Sequence, residues 1–449
     1  MVSSWPTPLG DARVLLRKNT GWVLNLMTRV SHRHVSAIRN LSFDVLLRPG
    51  LSAGRVDDVV QVAQGRKCFL ITTPSVARLY ASRMASCLIE SGVSLSMLVL
   101  PCSEQSKTLS EVESLCNQCF RAGLDRKSLL IGCGGGVCTD LVTMAAALTR
   151  RGLDYIKIPT TLIGLIDAGI GVKGAVNLPG KKSAIGCFYP PQQVLLDPLF
   201  LRSLPTRFIS DGLAEAIKLA ITLDAALFRR IEQTSHELLY SPGHADYDRV
   251  TDLVWRSSTL LLDELETNLY EDQTYERLLD FGHTFSPMIE AQSGFQVSHG
   301  MAVAIDMALS SAVGYCMGLL SAADQDRILK LLIGVGLPIF SPLLTLERCN
   351  WALEEIEAHR GGHVNLVVPS GIGKAVFLTN KEQVPQAVLS TALDFLSKKI
   401  PEFDVAANSR SLDSFSGQEP KRIPRLGPRP STGHRMPCVP RSSWPADNR

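Results

Sequence analysis

Between residues 41 and 158, short apolar runs alternate with longer segments whose apolar residues recur at helical spacing. SFDVLLRPG (42–50) reads as a strand that ends in a Pro-Gly turn. CFLITT (68–73) reads as a second strand and LSMLVL (95–100) as a third. A helical pattern over 76–89 separates those two, and Leu141, Met144, Ala145 and Leu148 mark another between the apolar runs 129–131 and 155–158. Strands alternating with helices predict a mainly parallel sheet covered by helices. From about Leu201 the pattern changes. Ala- and Leu-rich helical periods dominate to about residue 395, with few strand signals before 364–368. The pattern predicts four segments: a basic, acid-poor and poorly ordered extension over 1–40, an α/β domain over 41–200, a helical domain over 201–395, and a disordered tail over 396–449. That tail is rich in Ser, Pro, Arg and Gly, cannot bury enough apolar surface to order itself, and is expected to be dispensable for turnover.

Composition narrows this only a little. With 449 residues, 45% hydrophobic and 20% charged, the chain is of ordinary soluble globular type with two or three domains. A net charge of +3, with its basic excess in the last forty residues, gives no argument for nucleic acid. Eleven cysteines without a regular framework, and no secretory signal pattern, predict reduced thiols in the cytoplasm. Cys116 and Cys119 form a C-x-x-C inside a helical pattern and read as structural thiols. The most apolar window, 301–320, is interrupted by Asp306 and reads as a buried helix, not a membrane span.

Candidate chemistry gathers over 128–185. The run 129–131 leads into Gly134-Gly135-Gly136, then Asp140 and a helical pattern: strand, glycine turn, helix start. Glycines allow close backbone approach, and the free N–H groups of a helix start favour an anion. The run fits neither G-x-G-x-x-G nor the P-loop pattern. Thr160 and Thr161 follow the next strand, at the sheet edge where open α/β folds bind ligands. Asp167 and Lys173 sit among small residues, as on a pocket floor. Glu104 and Lys107, after the third strand, could hold a ribose and a phosphate; taken alone they read as a solvated helix start. In the helical part, Glu215 and Lys218 share a helix face flanked by apolar residues. A buried glutamate needs a partner or a metal. Glu215 with His283 and His299 would make a three-ligand site with open positions, the arrangement of catalytic zinc. Spacing alone leaves metal and structural roles evenly balanced.

Taken in order, Glu104 and Lys107, GGGVCTD, IPTT, Asp167, Lys173, Leu204-x-x-Arg207, GLAEAIK, GHTF and SHG resemble the sugar phosphate cyclase superfamily, best known from 3-dehydroquinate synthase, over about residues 41–395. The resemblance implies a Rossmann-like α/β NAD-binding domain followed by an all-α metal-binding domain. It places zinc or cobalt on Glu215, His283 and His299. It places NAD on Glu104, Lys107, Gly135, Gly136, Asp140, Thr160 and Thr161, with Lys182 beside them, and the reacting groups on Asp167, Lys173, Lys218, Asp280 and Arg360. The implied reaction is transient oxidation of a sugar phosphate by NAD, phosphate elimination, re-reduction and an intramolecular aldol closure. Two positions depart from the family: Thr73 stands for the usual ribose-binding Asp, and Ser183 for an Asn.

Dehydroquinate synthases carry Arg, Asn and His where this chain has Glu276, Asp280 and Pro287. Carboxylates there would repel a substrate carboxylate. Arg360, in HRGG, could still grip phosphate. The segments IPTTLIGLIDAGIGVKGAVN, DFGHTFSP and HRGG resemble 2-epi-5-epi-valiolone synthases, which implies sedoheptulose 7-phosphate as substrate. Demethyl-4-deoxygadusol synthase, dehydroquinate synthase and a metal- and NAD-dependent polyol or glycerol phosphate dehydrogenase remain as alternatives. A cytoplasmic homodimer without nucleic-acid or membrane partners is the accompanying expectation.

Overall fold

A computed structural model describes residues 33–36, 41–179, 181–274, 276–359 and 362–413. One compact unit begins at Ser42. Apart from exposed coil at 33–36, the extension expected over 1–40 lies outside the described residues, as does the tail beyond Asp413.

Six strands form one parallel sheet: β1 (Asp44–Leu47), β2 (Lys67–Thr72), β3 (Ser94–Val99), β4 (Leu129–Gly134), β5 (Asp154–Pro159) and β8 (Gln193–Leu196), in the order β1-β8-β5-β4-β2-β3. β2, β4 and β5 are buried almost throughout, because helices cover both faces, and they read as continuous apolar runs for that reason. The covering helices are α1 (Asp57–Ala63), α2 (Pro74–Val76), α3 (Ser82–Glu90), α4 (Leu109–Arg121) and α5 (Gly136–Leu148). Separate apolar clusters pack on the two faces, one around Leu70, Met84 and Leu88 and the other around Ile71, Leu115 and Leu141. Between β5 and β8 an antiparallel hairpin of β6 (Lys173–Leu178) and β7 (Lys181–Phe188) folds over the sheet edge; no sequence signal was read for it. Cys116 and Cys119 are free thiols on α4, and burial pushes Cys119 up to about 11.

The helical half begins with α6 (Thr206–Thr222) and continues with α7 (Ala225–Tyr240), α8 (Tyr247–Glu266), α9 (Ser286–Gln292), α10 (His299–Cys316), α11 (Ala322–Gly334) and α12 (Leu346–His359). A hairpin of β9 (Leu366–Gly371) and β10 (Lys374–Leu378) leads into α13 (Gln386–Asp413). The α13 backbone runs on past residue 395, where the tail was expected to start. A single large core joins these helices. α6 and α10 lie at its centre, buried on nearly every side. No helix among the described residues is long and apolar enough to cross a membrane.

Asp306, the acid that interrupts the apolar window, is fully buried in α10. It accepts the backbone N–H groups of Phe285 and Ser286 and the Ser310 hydroxyl, so it caps the first turn of α9 from a neighbouring helix. Burial pushes its pKa up to about 6 against those hydrogen bonds. Asp306→Ala strands two buried N–H groups at about 1–3 kcal/mol each and lowers the melting temperature by several degrees. A folded-state pKa above the unfolded value means the native chain binds the proton more tightly. This contribution is therefore full below the unfolded pKa and is lost as pH rises through about 6. The melting-temperature gap between wild type and Asp306→Asn is thus larger at pH 4.5 than at pH 7, as calorimetry at the two pH values will read.

Candidate active site and metal centre

A cleft of about 1320 Å³ opens at the carboxyl edge of the sheet. On one wall β4 ends in the glycine run, and α5 starts at Gly136 with no side-chain cap, leaving its first N–H groups facing the cleft. A Cβ on Gly135 would come within 3.0 Å of Thr161 Cγ2, so the backbone here lies closer to its neighbour than a side chain comfortably allows. Thr160, after β5, donates its N–H to Gly134 O at 3.0 Å, which joins the two strand ends into one surface. Thr73, after β2, lines the same wall.

The turn after β3 is capped by Ser103 and reaches the cleft. Glu104 accepts from Asn177 Nδ2 at 2.8 Å. Buried Lys107 pairs with Asp140 on α5 at 2.5 Å. Burial raises the Asp140 pKa, and Lys107 opposes that rise. Ser183 has φ 48°, a left-handed conformation that Asn, the residue of the resembled family, adopts more readily than Ser. Its N–H is held by Asn177 Oδ1 at 2.7 Å, so Asn177 ties the hairpin both to itself and to the Glu104 turn.

The opposite wall carries the metal candidates. Glu215, His283 and His299 each present a ligand atom within 4.8 Å of the others. Glu215 projects from the middle of α6 and is fully buried; His283 enters from the turn before α9, and His299 opens α10. Glu215 Oε1 lies 3.1 Å from His299 Nε2 and 3.8 Å from His283 Nε2, with Lys218 Nζ 2.5 Å from Oε2. Neither carboxylate oxygen has a hydrogen bond of good geometry. Burial pushes this carboxyl up, but Lys218 and the two histidines outweigh it and hold the pKa well below the usual range.

The outer nitrogens of both imidazoles are occupied. His283 Nδ1 lies 3.1 Å from Phe281 O; a carbonyl only accepts, so Nδ1 carries the proton and Nε2 keeps its lone pair. Burial, reinforced by Lys218, pushes His283 down to about 4. His299 Nδ1 faces Glu290 Oε1 at 3.0 Å. Burial and Lys182 push His299 down, but the carboxylates on either side lift it to about 9; a cation on Nε2 would take the place of that proton. Buried, poorly bonded carboxylate oxygens and two imidazoles oriented from behind fit a divalent cation.

Between the walls stand the charged groups. Lys218 Nζ also reaches Asp167 Oδ2 at 3.3 Å, and burial raises the Asp167 pKa against the pull of that lysine. Lys173, at the start of β6, pairs with Glu271. Arg277 bridges Glu271 at 2.5 Å and Asp280 at 2.7 Å, so the negative charge expected at Asp280 is largely balanced. Lys182 lies 2.5 Å from Glu290 Oε2 and 3.2 Å from His299 Nδ1, on the metal side of the cleft. Burial pushes Glu290 up, yet His299 and Lys182 bring it down to about 2.

All the expected site residues line this cleft except two. Glu215 lies beneath its floor, and Arg360 lies outside the described residues. Glu290, Arg277, Glu271 and Asn177 went unread in the sequence. Only Glu290 left a faint signal, as an acid seven positions after His283.

The 3-dehydroquinate synthase N-terminal family matches residues 97–211 and the C-terminal family residues 212–356, together more than half of the chain. A 2-epi-5-epi-valiolone synthase of Streptomyces glaucescens is 41% identical over 339 residues, 75% of this chain and 86% of that one. The demethyl-4-deoxygadusol synthase of Trichormus variabilis is 31% identical over 354 residues, 77% of this chain and 86% of that one. The structure of ValA, the 2-epi-5-epi-valiolone synthase of Streptomyces hygroscopicus subsp. jinggangensis 5008 with NAD+ and Zn2+ bound, superposes with a TM-score of 0.76 at 35% identity, covering 82% of this chain and 100% of that one. With a glycine-lined helix start facing a Glu-His-His cluster across one cleft, and these matches running through both halves, the chain belongs to the 3-dehydroquinate synthase family of sugar phosphate cyclases, on its 2-epi-5-epi-valiolone synthase side.

Proposed function

We propose that the protein converts sedoheptulose 7-phosphate to 2-epi-5-epi-valiolone with release of phosphate, as an NAD- and metal-dependent lyase. The observation that carries the chemistry is the placing of the Glu215, His283 and His299 cluster in the same cleft as the α5 start. The choice of substrate rests on the 41% identity to a valiolone synthase. When bound, NAD and a divalent cation would supply a reversible hydride acceptor and a Lewis acid beside one secondary alcohol.

The chain's own groups do the rest. Gly135, Gly136 and the α5 N–H groups bind the nucleotide phosphates, while Glu104, Lys107, Asp140, Thr160 and Thr161 hold the ribose and nicotinamide end. Glu290 and Phe281 O orient the two histidines. Lys173, Lys182, Lys218 and Arg277 offer positive charge to the leaving phosphate and to the developing oxyanions, with Arg360 assigned to the phosphate as well. Asp167, beside Lys218, is placed to move a proton, and Asp280 with its partner Arg277 faces the neutral end of the sugar. A cytoplasmic homodimer belongs to the same reading.

Purified protein given NAD, zinc or cobalt and sedoheptulose 7-phosphate releases phosphate without accumulating NADH, and NMR of the product shows the valiolone ring. Stoichiometric NADH would instead identify a dehydrogenase. Turnover of a seven-carbon sugar acid phosphate, with none of sedoheptulose 7-phosphate, would assign the dehydroquinate reaction.

A further inference from the structure

Lys157 lies in the middle of β5, between Gly132 of β4 and Val194 of β8, and its side chain is completely buried. Among the described residues no other fully buried charged side chain lies within a strand of the parallel sheet. Central strands of such sheets favour an unbroken apolar run, and burying an ammonium is costly. The side chain runs along the α5 face: its neighbour two residues back, Tyr155, presents its ring 5.9 Å from Nζ. The ammonium donates to Gly171 O at 2.9 Å. Gly171 lies between Asp167, on the preceding helical turn, and Lys173, the first residue of β6. The same short segment lines the cleft from Asp167 to Lys173.

We propose that Lys157 is a positioning residue: its ammonium, reaching from inside the sheet, fixes the Gly171 carbonyl and with it the segment that presents Asp167 and Lys173 to the cleft. Three groups on packed elements face the ammonium: Asp140 on α5, Cys187 on β7 and Tyr155 on β5 itself. Burial pushes the Lys157 pKa down to about 8, with Asp140 and then Cys187 opposing, so the group is positively charged at neutral pH. A methionine would fill the same space without the desolvation cost. A lysine kept there at the expense of stability is what a positioning role requires.

The test compares Lys157→Met and Lys157→Arg with wild type in the full chain, by hydrogen exchange of peptides covering 164–178, by thermal melting and by steady-state kinetics. For Lys157→Met the melting temperature holds or rises, amide exchange quickens about tenfold within 167–175 only, and kcat falls by about 10- to 100-fold, the size of effect that small misplacements of reacting groups produce. Lys157→Arg, which keeps charge and donors, stays within about threefold of wild type in both exchange and kcat. The kinetic arm rests on the cyclase reading; the exchange arm does not, so a wild-type protein inert toward sugar phosphates would leave the positioning claim to be decided by exchange. Wild-type exchange and kcat in Lys157→Met would overturn the proposal. So would exchange raised throughout the sheet, or a Met variant that does not fold, since either makes the lysine a stability residue only.

Discussion

His283→Ala reduces bound zinc to background and lowers turnover by about 10³-fold or more. The proposed donor set has three protein atoms, and losing one would leave a carboxylate and a single imidazole to hold the cation. Lewis-acid stabilisation is worth several kcal/mol, and each 1.36 kcal/mol is about tenfold in rate. Glu215→Gln should be equally damaging for a further reason: it removes the buried charge that balances Lys218, 2.5 Å away. Glu290→Gln is a graded control. Glu290 touches His299 from behind at 3.0 Å, so its loss should weaken metal affinity by only about 10- to 100-fold, the usual cost of losing an orienting partner. Elemental analysis of the purified variants, with kcat measured before and after adding zinc, reads both effects. Undiminished metal in His283→Ala would remove the assignment, and a Glu290→Gln loss as large as that of His283→Ala would make Glu290 a ligand instead of an orienting group.

The parts of the fold legible in the sequence are those with a single environment along their length. β2, β4 and β5 are buried on both faces and stand out as apolar runs, and the long helices of the second half stand out by their period. The β6–β7 hairpin did not. Its residues, KGAVNL and KKSAIGCF, present no apolar face: β6 alternates buried with more exposed positions, β7 is half-buried to exposed throughout, and lysines and glycines line the cleft. β8 has only four residues, too few for any period to show.

The site divides along a similar line. Glu215, His283 and His299 could be singled out as candidates because few residue types bind metals and each stood in a recognisable setting, and the fold brings their ligand atoms within 4.8 Å of one another. Asn177, Glu271 and Lys157 act on other protein groups across 14 to 98 positions of sequence, and one residue's partner at that distance has no local signature. Arg277 acts nearby, on Glu271 six positions before it and Asp280 three after it, in a stretch without a helical or strand period to mark it. Arg277 also changes a conclusion drawn from the sequence. Two bare carboxylates at Glu276 and Asp280 would have repelled an acidic substrate. With Arg277 on Asp280, discrimination rests more on what Asp280 and Pro287 fail to donate than on repulsion.

Lys218→Met should separate metal binding from chemistry. Lys218 is 3% exposed and stands between Glu215 at 2.5 Å and Asp167 at 3.3 Å. Its ammonium holds two carboxylates in register, one in the Glu-His-His cluster and one at the cleft surface. Methionine fills the same volume without charge. With a cation bound, Glu215 keeps a positive neighbour, so metal content stays within about twofold of wild type; Asp167, by contrast, loses its ion-pair partner. A preorganised charge lost beside a developing oxyanion costs about 10²- to 10³-fold in kcat. The expected result is therefore full metal occupancy, unchanged NAD affinity and kcat lowered by about 10³-fold, with a smaller change in KM, because the charge matters more as the oxyanion develops than in the bound ground state. Titration calorimetry with NAD, elemental analysis and phosphate-release kinetics on one preparation give all three values. If kcat stays within about tenfold of wild type, Lys218 is a structural partner of Glu215; if metal is lost together with activity, the ammonium is needed to assemble the ligand set and not for the reaction it serves.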